Sequence, residues 1–233
     1  MSSQSSGPAR RLLRLVGRSL RGILLVAAAY LVGCTLLLIA YTTFWPPLTG
    51  IQAQRAVEAW WAGDTTYTRV YHPVSSDAIS IHMPRAVVAA EDGRFYEHRG
   101  IDWAAIQDAF EESAGPPRRG GSTITQQLVK NLFLTTHRSY VRKAFELPLA
   151  YLAELILSKE RILHLYVNVV EWGPGIYGVE AASHHHFGIT ANDLSRHQAA
   201  GLAACLPAPR SRSPHYMTRY TRTIEQRMAQ HGW

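Results

Sequence analysis

Glu91-Asp92-Gly93-Arg94-Phe95-Tyr96-Glu97-His98-Arg99-Gly100 follows the apolar run Ala86-Val87-Val88-Ala89-Ala90. The run reads as the end of a buried helix. A glycine after two adjacent carboxylates stops that helix with Glu91 in or near its last turn. An acid there sits at the negative end of the helix dipole, which raises its proton affinity. A general base or acid working near neutral pH needs that shift. The competing reading is a solvated acidic helix end, and the rest of the chain has to decide between them.

Beyond Gly100, Asp102 is placed to cap a helix that begins at Trp103. That helix gives way to residues 114–121, Ala-Gly-Pro-Pro-Arg-Arg-Gly-Gly, a segment expected to be mobile. Ser122-Thr123-Ile124-Thr125-Gln126-Gln127-Leu128-Val129-Lys130-Asn131 comes next. Thr123 and Gln126 have the spacing of a capping box, so a helix starts straight after two glycines. Exposed backbone N–H groups at such a start favour an anion. Lys130 lies four residues after Gln126, on the same face. Arg138, Arg142 and Lys143 follow, with Glu146 one turn beyond the last two. The chain holds only three lysines, Lys130, Lys143 and Lys159. Where arginine is the default cation, a lysine marks a place suited to a compact point charge.

Residues 145–168 are strongly helical and apolar, with Ser158 placed to cap a fresh helix whose first turn carries Glu160. Gly173, Gly175 and Gly178 have GxGxxG spacing, but they follow a helix instead of a strand, so a dinucleotide-binding reading fails. Residues 192–206 and 221–230 read as two further helices. His184-His185-His186 invites a metal reading, yet three consecutive residues do not converge on one ion in a helix or strand. No zinc-type Cys/His pattern appears.

Upstream, the chain changes character. Arg10, Arg11, Arg14, Arg18 and Arg21 precede an uncharged, apolar stretch over residues 22–45. As a helix, roughly 24 residues at about 1.5 Å each cross a bilayer's hydrocarbon core. Tyr41, Phe44 and Trp45 suit an interfacial aromatic belt, and Pro46-Pro47 ends the helix. The run is too long for a cleaved signal and lacks a small-x-small cleavage site, so it is read as a retained anchor. The arginines place the N-terminus in the cytoplasm and the rest outside. Residues 1–21 are then a cytoplasmic basic tail, 22–45 a transmembrane helix, 46–82 a membrane-proximal linker and 83–233 the exported domain. Within the linker, residues 51–63 read as a short amphipathic helix and 64–82 as partly extended. The net charge of +7 over 233 residues calls for an anionic partner. Export argues against nucleic acid. Cys34 lies in the span and Cys205 beyond it, so they cannot pair.

Together these motifs resemble the peptidoglycan glycosyltransferase family, shared by bifunctional penicillin-binding proteins and monofunctional transglycosylases. Glu91, Asp92, Phe95, His98 and Gly100 meet the pattern EDxxFxxHxG, and the stretch from Gly120 to Asn131 meets GGSTxTQQxxKN. Arg142, Lys143 and Glu146 meet RKxxE, and residues 158–188 resemble the later family blocks, with Val167 and His186 as departures from them. No Ser-x-x-Lys is present, since Gln127, Tyr140 and Ile156 stand three before the lysines, so the resemblance is to the monofunctional branch.

The resemblance implies a mainly α, lysozyme-like, two-lobed glycosyltransferase domain preceded by one transmembrane helix, in the bacterial inner membrane with the domain periplasmic. It implies transfer of a polyprenyl-diphosphate-linked glycan onto the sugar 4-hydroxyl of lipid II, forming β-1,4 linkages with inversion. Glu91 would be the base and Glu146 the second essential carboxylate, positioning cations or a divalent metal. Lys130, Arg138 and Lys143 would face the diphosphate. Ser122, Thr123, Gln126, Gln127 and Asn131 would line sugar and phosphate subsites, alongside helix capping. A divalent cation, Mg or Mn, would accompany the diphosphate with no dedicated protein ligands. Partners would be lipid II, lipid-linked glycan, the membrane, and cell-wall synthesis or division proteins. Alternatives are a lysozyme-like glycan-cleaving enzyme, which needs a true acid to expel an alcohol, and a non-catalytic wall-binding scaffold.

Overall fold

A computed structural model describes residues 8–105, 107, 121–137 and 139–233, and side chains from residue 14 onward. The expected mobile segment falls largely outside these residues, as does Arg138. The order is α1 (Pro8–Ala40), α2 (Gly50–Trp61), β1 (Val70–Tyr71), α3 (His82–Glu91), α4 (Ile124–Phe133), α5 (Tyr140–Ile156), α6 (Lys159–Val169), β2 (Glu171–Gly173), β3 (Ile176–Tyr177), α7 (Val179–Phe187), α8 (Arg196–Ala203) and α9 (Thr218–Gln230).

Serine and threonine caps set most boundaries. Thr49, Thr123 and Ser195 each form a reciprocal capping box with a glutamine three residues on. Ser139 and Ser158 accept from the backbone of Arg142 and Arg161. The predicted break at Ser158 is therefore real. The expected helix over 192–206 is shorter: a 3₁₀ turn precedes Ser195, and α8 spans Arg196–Ala203.

α3 is buried along Met83, Ala86, Val87, Val88 and Ala89, between α8 and α9 on one side and α6 on another. α4 packs on α5, α6 and α2. A small sheet has the order β1-β3-β2, with β1 parallel and β2 antiparallel to β3. The glycines of the GxGxxG spacing make close approaches here. A Cβ at Gly175 (φ +75°) would lie 2.4 Å from the Thr68 carbonyl oxygen, and one at Gly178 (φ +84°) 2.6 Å from that of Asn168.

Residues 46–82 hold the expected short helix, α2, and some extended structure, and they pack against the domain. Gln54 exchanges hydrogen bonds with Thr136 at 2.7 and 2.8 Å, β1 joins the sheet, and Asn168 Oδ1 accepts from the Val74 backbone at 2.9 Å. The long helix ends at Ala40, five residues before the expected limit. Tyr41 stacks on Phe133, and Trp45 packs edge-on against His164 under the Arg161 guanidinium. Arg161 donates to the carbonyls of Tyr41 and Phe44 at 2.8 and 2.9 Å. Two of the three belt aromatics thus fasten the helix to the domain, and Phe44 remains exposed. Residues Arg14–Ala40 are long and apolar enough to cross a membrane and fit an anchor.

Candidate active site

Glu91 is the last residue of α3, and Asp92 closes the helix by donating its N–H to the Val88 carbonyl at 3.0 Å. The Glu91 carboxylate is partly buried and accepts from Gln127 Nε2 at 2.7 Å. Gln127 in turn accepts from the hydroxyl of fully buried Tyr166 at 2.8 Å. Burial pushes the Glu91 carboxyl above its ordinary value, and the charge of Asp92 adds to this. Gln127, Lys130 and Arg212 oppose the shift. The direction agrees with the expectation from the helix end, but burial is the main cause.

Asp92 has a different task. Its oxygens lie 2.9 and 3.1 Å from His98 Nε2, and Oδ2 accepts from the Ile124 N–H at 3.0 Å. The anion at the start of α4 is therefore a carboxylate of the chain itself. One side chain joins the end of α3, the loop to His98 and the first turn of α4.

α4 places Gln127 and Lys130 one turn apart. Burial lowers the proton affinity of Lys130; Glu146 and Glu91 act against that, while Arg142 and Lys143 reinforce it. Glu146, on α5, is 3% exposed and bridges Arg142 and Lys143, the latter at 3.0 Å. Lys143 Nζ also donates to Ser122 Oγ at 3.4 Å. Glu146 is thus committed to its cations on both oxygens.

The five candidate subsite residues between Ser122 and Asn131 divide. Ser122 and Gln127 stand beside Lys143 and Glu91. Thr123, Gln126 and Asn131 are buried, with Thr123 and Gln126 forming the cap, Thr123 donating to the Gly100 carbonyl at 2.6 Å, and Asn131 donating to the Gln127 carbonyl at 2.8 Å. These three hold α4 in place. Lys159, the third lysine, also lies apart: its ammonium is 4.3 Å from the Phe95 ring centroid and 2.8 Å from Glu154. Two further residues that the motifs do not single out as site residues reach Glu91: Tyr166 through Gln127, and Arg212 through its charge. A tyrosine within an apolar helix was the available signal, since a buried hydroxyl must find a partner.

Among the described residues, the candidate ligand groups for a divalent cation are already engaged. Glu146 is occupied, as above. Asp92, His98 and Asp102 bring ligand atoms within 4.8 Å of one another. Asp102, however, binds Arg94 through both oxygens at 3.0 and 3.1 Å, and Asp92 is taken by His98 and Ile124. Nor do His184, His185 and His186 converge: His184 pairs with Glu180, while His186 lies near the Trp172 carbonyl.

A carboxylate of raised proton affinity beside a lysine and arginine cluster, on a mainly helical scaffold, is an arrangement suited to proton removal near a developing negative charge. Residues 60–231 match the family model described as Transglycosylase. The chain belongs to the transglycosylase family, whose domain is lysozyme-like. Similar proteins called "Biosynthetic peptidoglycan transglycosylase" include one from Bordetella avium, 51% identical over 156 residues covering 64% of this chain and 65% of that one. One from Bordetella pertussis is 50% identical, covering 68% of this chain and 69% of its own. One from Pseudomonas fluorescens is 42% identical over 209 residues, covering 87% and 86%.

Proposed function

We propose that this transglycosylase polymerises peptidoglycan glycan strands, joining a polyprenyl-diphosphate-linked glycan to the 4-hydroxyl of lipid II. The observation that carries this reading is Glu91 set within electrostatic reach of Lys130, itself backed by Glu146 and its two cations. Glu91 takes the proton from the acceptor's 4-hydroxyl as that oxygen attacks the donor's anomeric carbon. The bond to the diphosphate oxygen breaks in the same displacement, giving inversion and a β-1,4 linkage. Lys130, Lys143 and Arg142, with Arg138 from its place in the sequence, neutralise the departing diphosphate. Ser122 and Gln127 are the polar groups beside the reacting centre.

Glu146 is the positioning residue for the cations. With both oxygens engaged by cations, it is poorly placed to serve as the acid that expels an alcohol, which favours transfer over lysozyme-like cleavage. A divalent cation, where one takes part, enters on the diphosphate. α1 anchors the enzyme in the inner membrane with its arginine-rich start in the cytoplasm and the domain in the periplasm, where both lipid-linked substrates reach the site. Residues 1–21 then serve as tail, α1 from residue 22 to Ala40 as span, and the residues beyond it as exported domain.

The test is polymerisation of purified lipid II by the full-length protein, with and without Mg or Mn. Glu91→Gln should lose at least about 100-fold in rate while folding normally. Undiminished polymerisation by that variant removes Glu91 from the mechanism. Release of fragments from preformed peptidoglycan by the wild type would instead identify a hydrolase.

A further inference from the structure

A cavity of about 430 Å³ lies on the α8 side of the molecule, and the reaction above makes no use of it. Pro174, His185, His186, Arg210, Arg212 and Tyr216 are among its walls, and among the described residues no carboxylate lines it. Its cations are held from behind. Arg210 Nε stands 3.8 Å from Glu171 Oε1, and Glu171 is buried and also held by Arg55 at 3.4 Å. Arg212 donates from Nη1 to the Ala204 carbonyl at 3.1 Å, and the backbone N–H groups of Ser211 and Arg212 bond to the Ala208 carbonyl at 3.1 and 3.0 Å. The wall is thus a tied turn presenting two guanidinium groups.

The cavity wall connects through α9 to the helix end that carries Glu91. Its lining residue Met217 leads into α9, where the Tyr220 hydroxyl reaches the Ala90 carbonyl at 3.5 Å, next to Glu91. Arg212 is close enough to favour the charged form of Glu91. Glu91 is thus approached by Lys130 from α4 and by Arg212 from the connection between α8 and α9. With the leaving diphosphate on the α4 flank, the other flank belongs to the acceptor whose hydroxyl Glu91 deprotonates. In a peptidoglycan acceptor, the sugar next to the attacking one carries a peptide with free carboxylates, the anions that a pair of arginine forks accommodates.

We propose that this cavity is a carboxylate subsite in which Arg210 and Arg212 hold the acceptor's peptide, so that the enzyme selects acceptors by peptide charge. The assignment rests on reading Glu91 as the base of glycosyl transfer. It is tested by binding, without turnover, to full-length protein in detergent. The probes are a lipid-free disaccharide bearing a peptide with free carboxylates, the same disaccharide with those carboxylates amidated, and inorganic diphosphate. Wild type should bind the free acid about tenfold more tightly than the amide, and Arg210→Gln should erase that preference. Arg210→Lys should retain part of it, and both variants should melt as wild type does. Diphosphate affinity should be unchanged by Arg210→Gln. Equal affinity of wild type for acid and amide, or an unaltered preference in Arg210→Gln, overturns the proposal. Loss of diphosphate binding in that variant makes the cavity a phosphate site and overturns it equally. Glu91→Gln should keep the preference while losing polymerisation. A wild-type protein that binds the acid through Arg210 but never polymerises lipid II would refute the proposed reaction and leave the peptide subsite standing.

Discussion

A single amide organises the base. Ionised Glu91 can only accept hydrogen bonds, so Gln127 must turn its NH₂ toward it, and its carbonyl oxygen then receives the Tyr166 hydroxyl. The Gln127 donor favours the charged form of Glu91 and partly offsets the upward shift that burial causes. Activity that depends on ionised Glu91 falls as pH drops through its raised pKa. Gln127→Ala removes a contribution that lowers this pKa, so the acid limb of the rate profile should move to higher pH. A limb that stays in place or moves down would show that the amide does not tune the base. Tyr166→Phe leaves the Gln127 oxygen without its partner and should reduce the rate constant about tenfold. In a Gln127→Ala background the same change should have much less effect, because the amide it orients is gone. Additive losses in that double-mutant cycle would assign Tyr166 to packing alone.

At the scale of elements, the site depends on where two helices end and begin. Asp92 fastens the end of α3 to the start of α4, receiving His98 and the Ile124 N–H in a buried setting. Asp92→Ala orphans both donors and should cost about 2 kcal/mol of stability in denaturant unfolding, with activity lost through displacement of Glu91. Wild-type stability in this variant would show that the joint is held by other contacts. Local chemistry announced these elements well. The Thr123 cap, the Ser158 restart and the end of α3 at Glu91 depend on residues three or four apart, which a chain read in order displays. The small sheet did not show, because strands of two or three residues carry no usable alternation, and β1 pairs with β3 across more than a hundred positions. The same limit applied to the site. Glu91, Lys130 and Glu146 came from ordered motifs, whereas the contact of Tyr166 with Gln127 and the approach of Arg212 to Glu91 come from tertiary packing. The polar character of Thr123, Gln126 and Asn131 suggested ligand contact alongside helix capping, and their burial and hydrogen bonds display the capping and packing part.

For the whole molecule, the docking of α1 fixes how deep the domain sits. The Tyr30 hydroxyl donates to the Phe133 carbonyl at 2.6 Å, and its ring meets Phe145 edge-on with centroids 5.7 Å apart. Ten residues separate Tyr30 from Ala40, about 15 Å along a helix. If α1 spans the bilayer, the corner between α4 and α5 then lies well inside the hydrocarbon, and α5 should meet lipid. It is built to do so: Tyr140, Val141, Leu147, Tyr151 and Leu155 are exposed on it, with Tyr140 at 97%. The same helix buries Glu146 on its inner side, so one element joins the lipid surface to the cations proposed to receive the diphosphate. A substrate tethered by its lipid tail would then meet those cations without leaving the membrane. Both native cysteines are buried, so a Tyr151→Cys protein can carry an environment-sensitive fluorophore at that one exposed thiol. In lipid vesicles its emission should shift to the blue and be quenched by brominated acyl chains. A label at Ser211→Cys, in the cavity wall on the α8 side, should remain in an aqueous environment. An aqueous spectrum and no quenching at position 151 would mean that the domain stands clear of the bilayer on α1 alone.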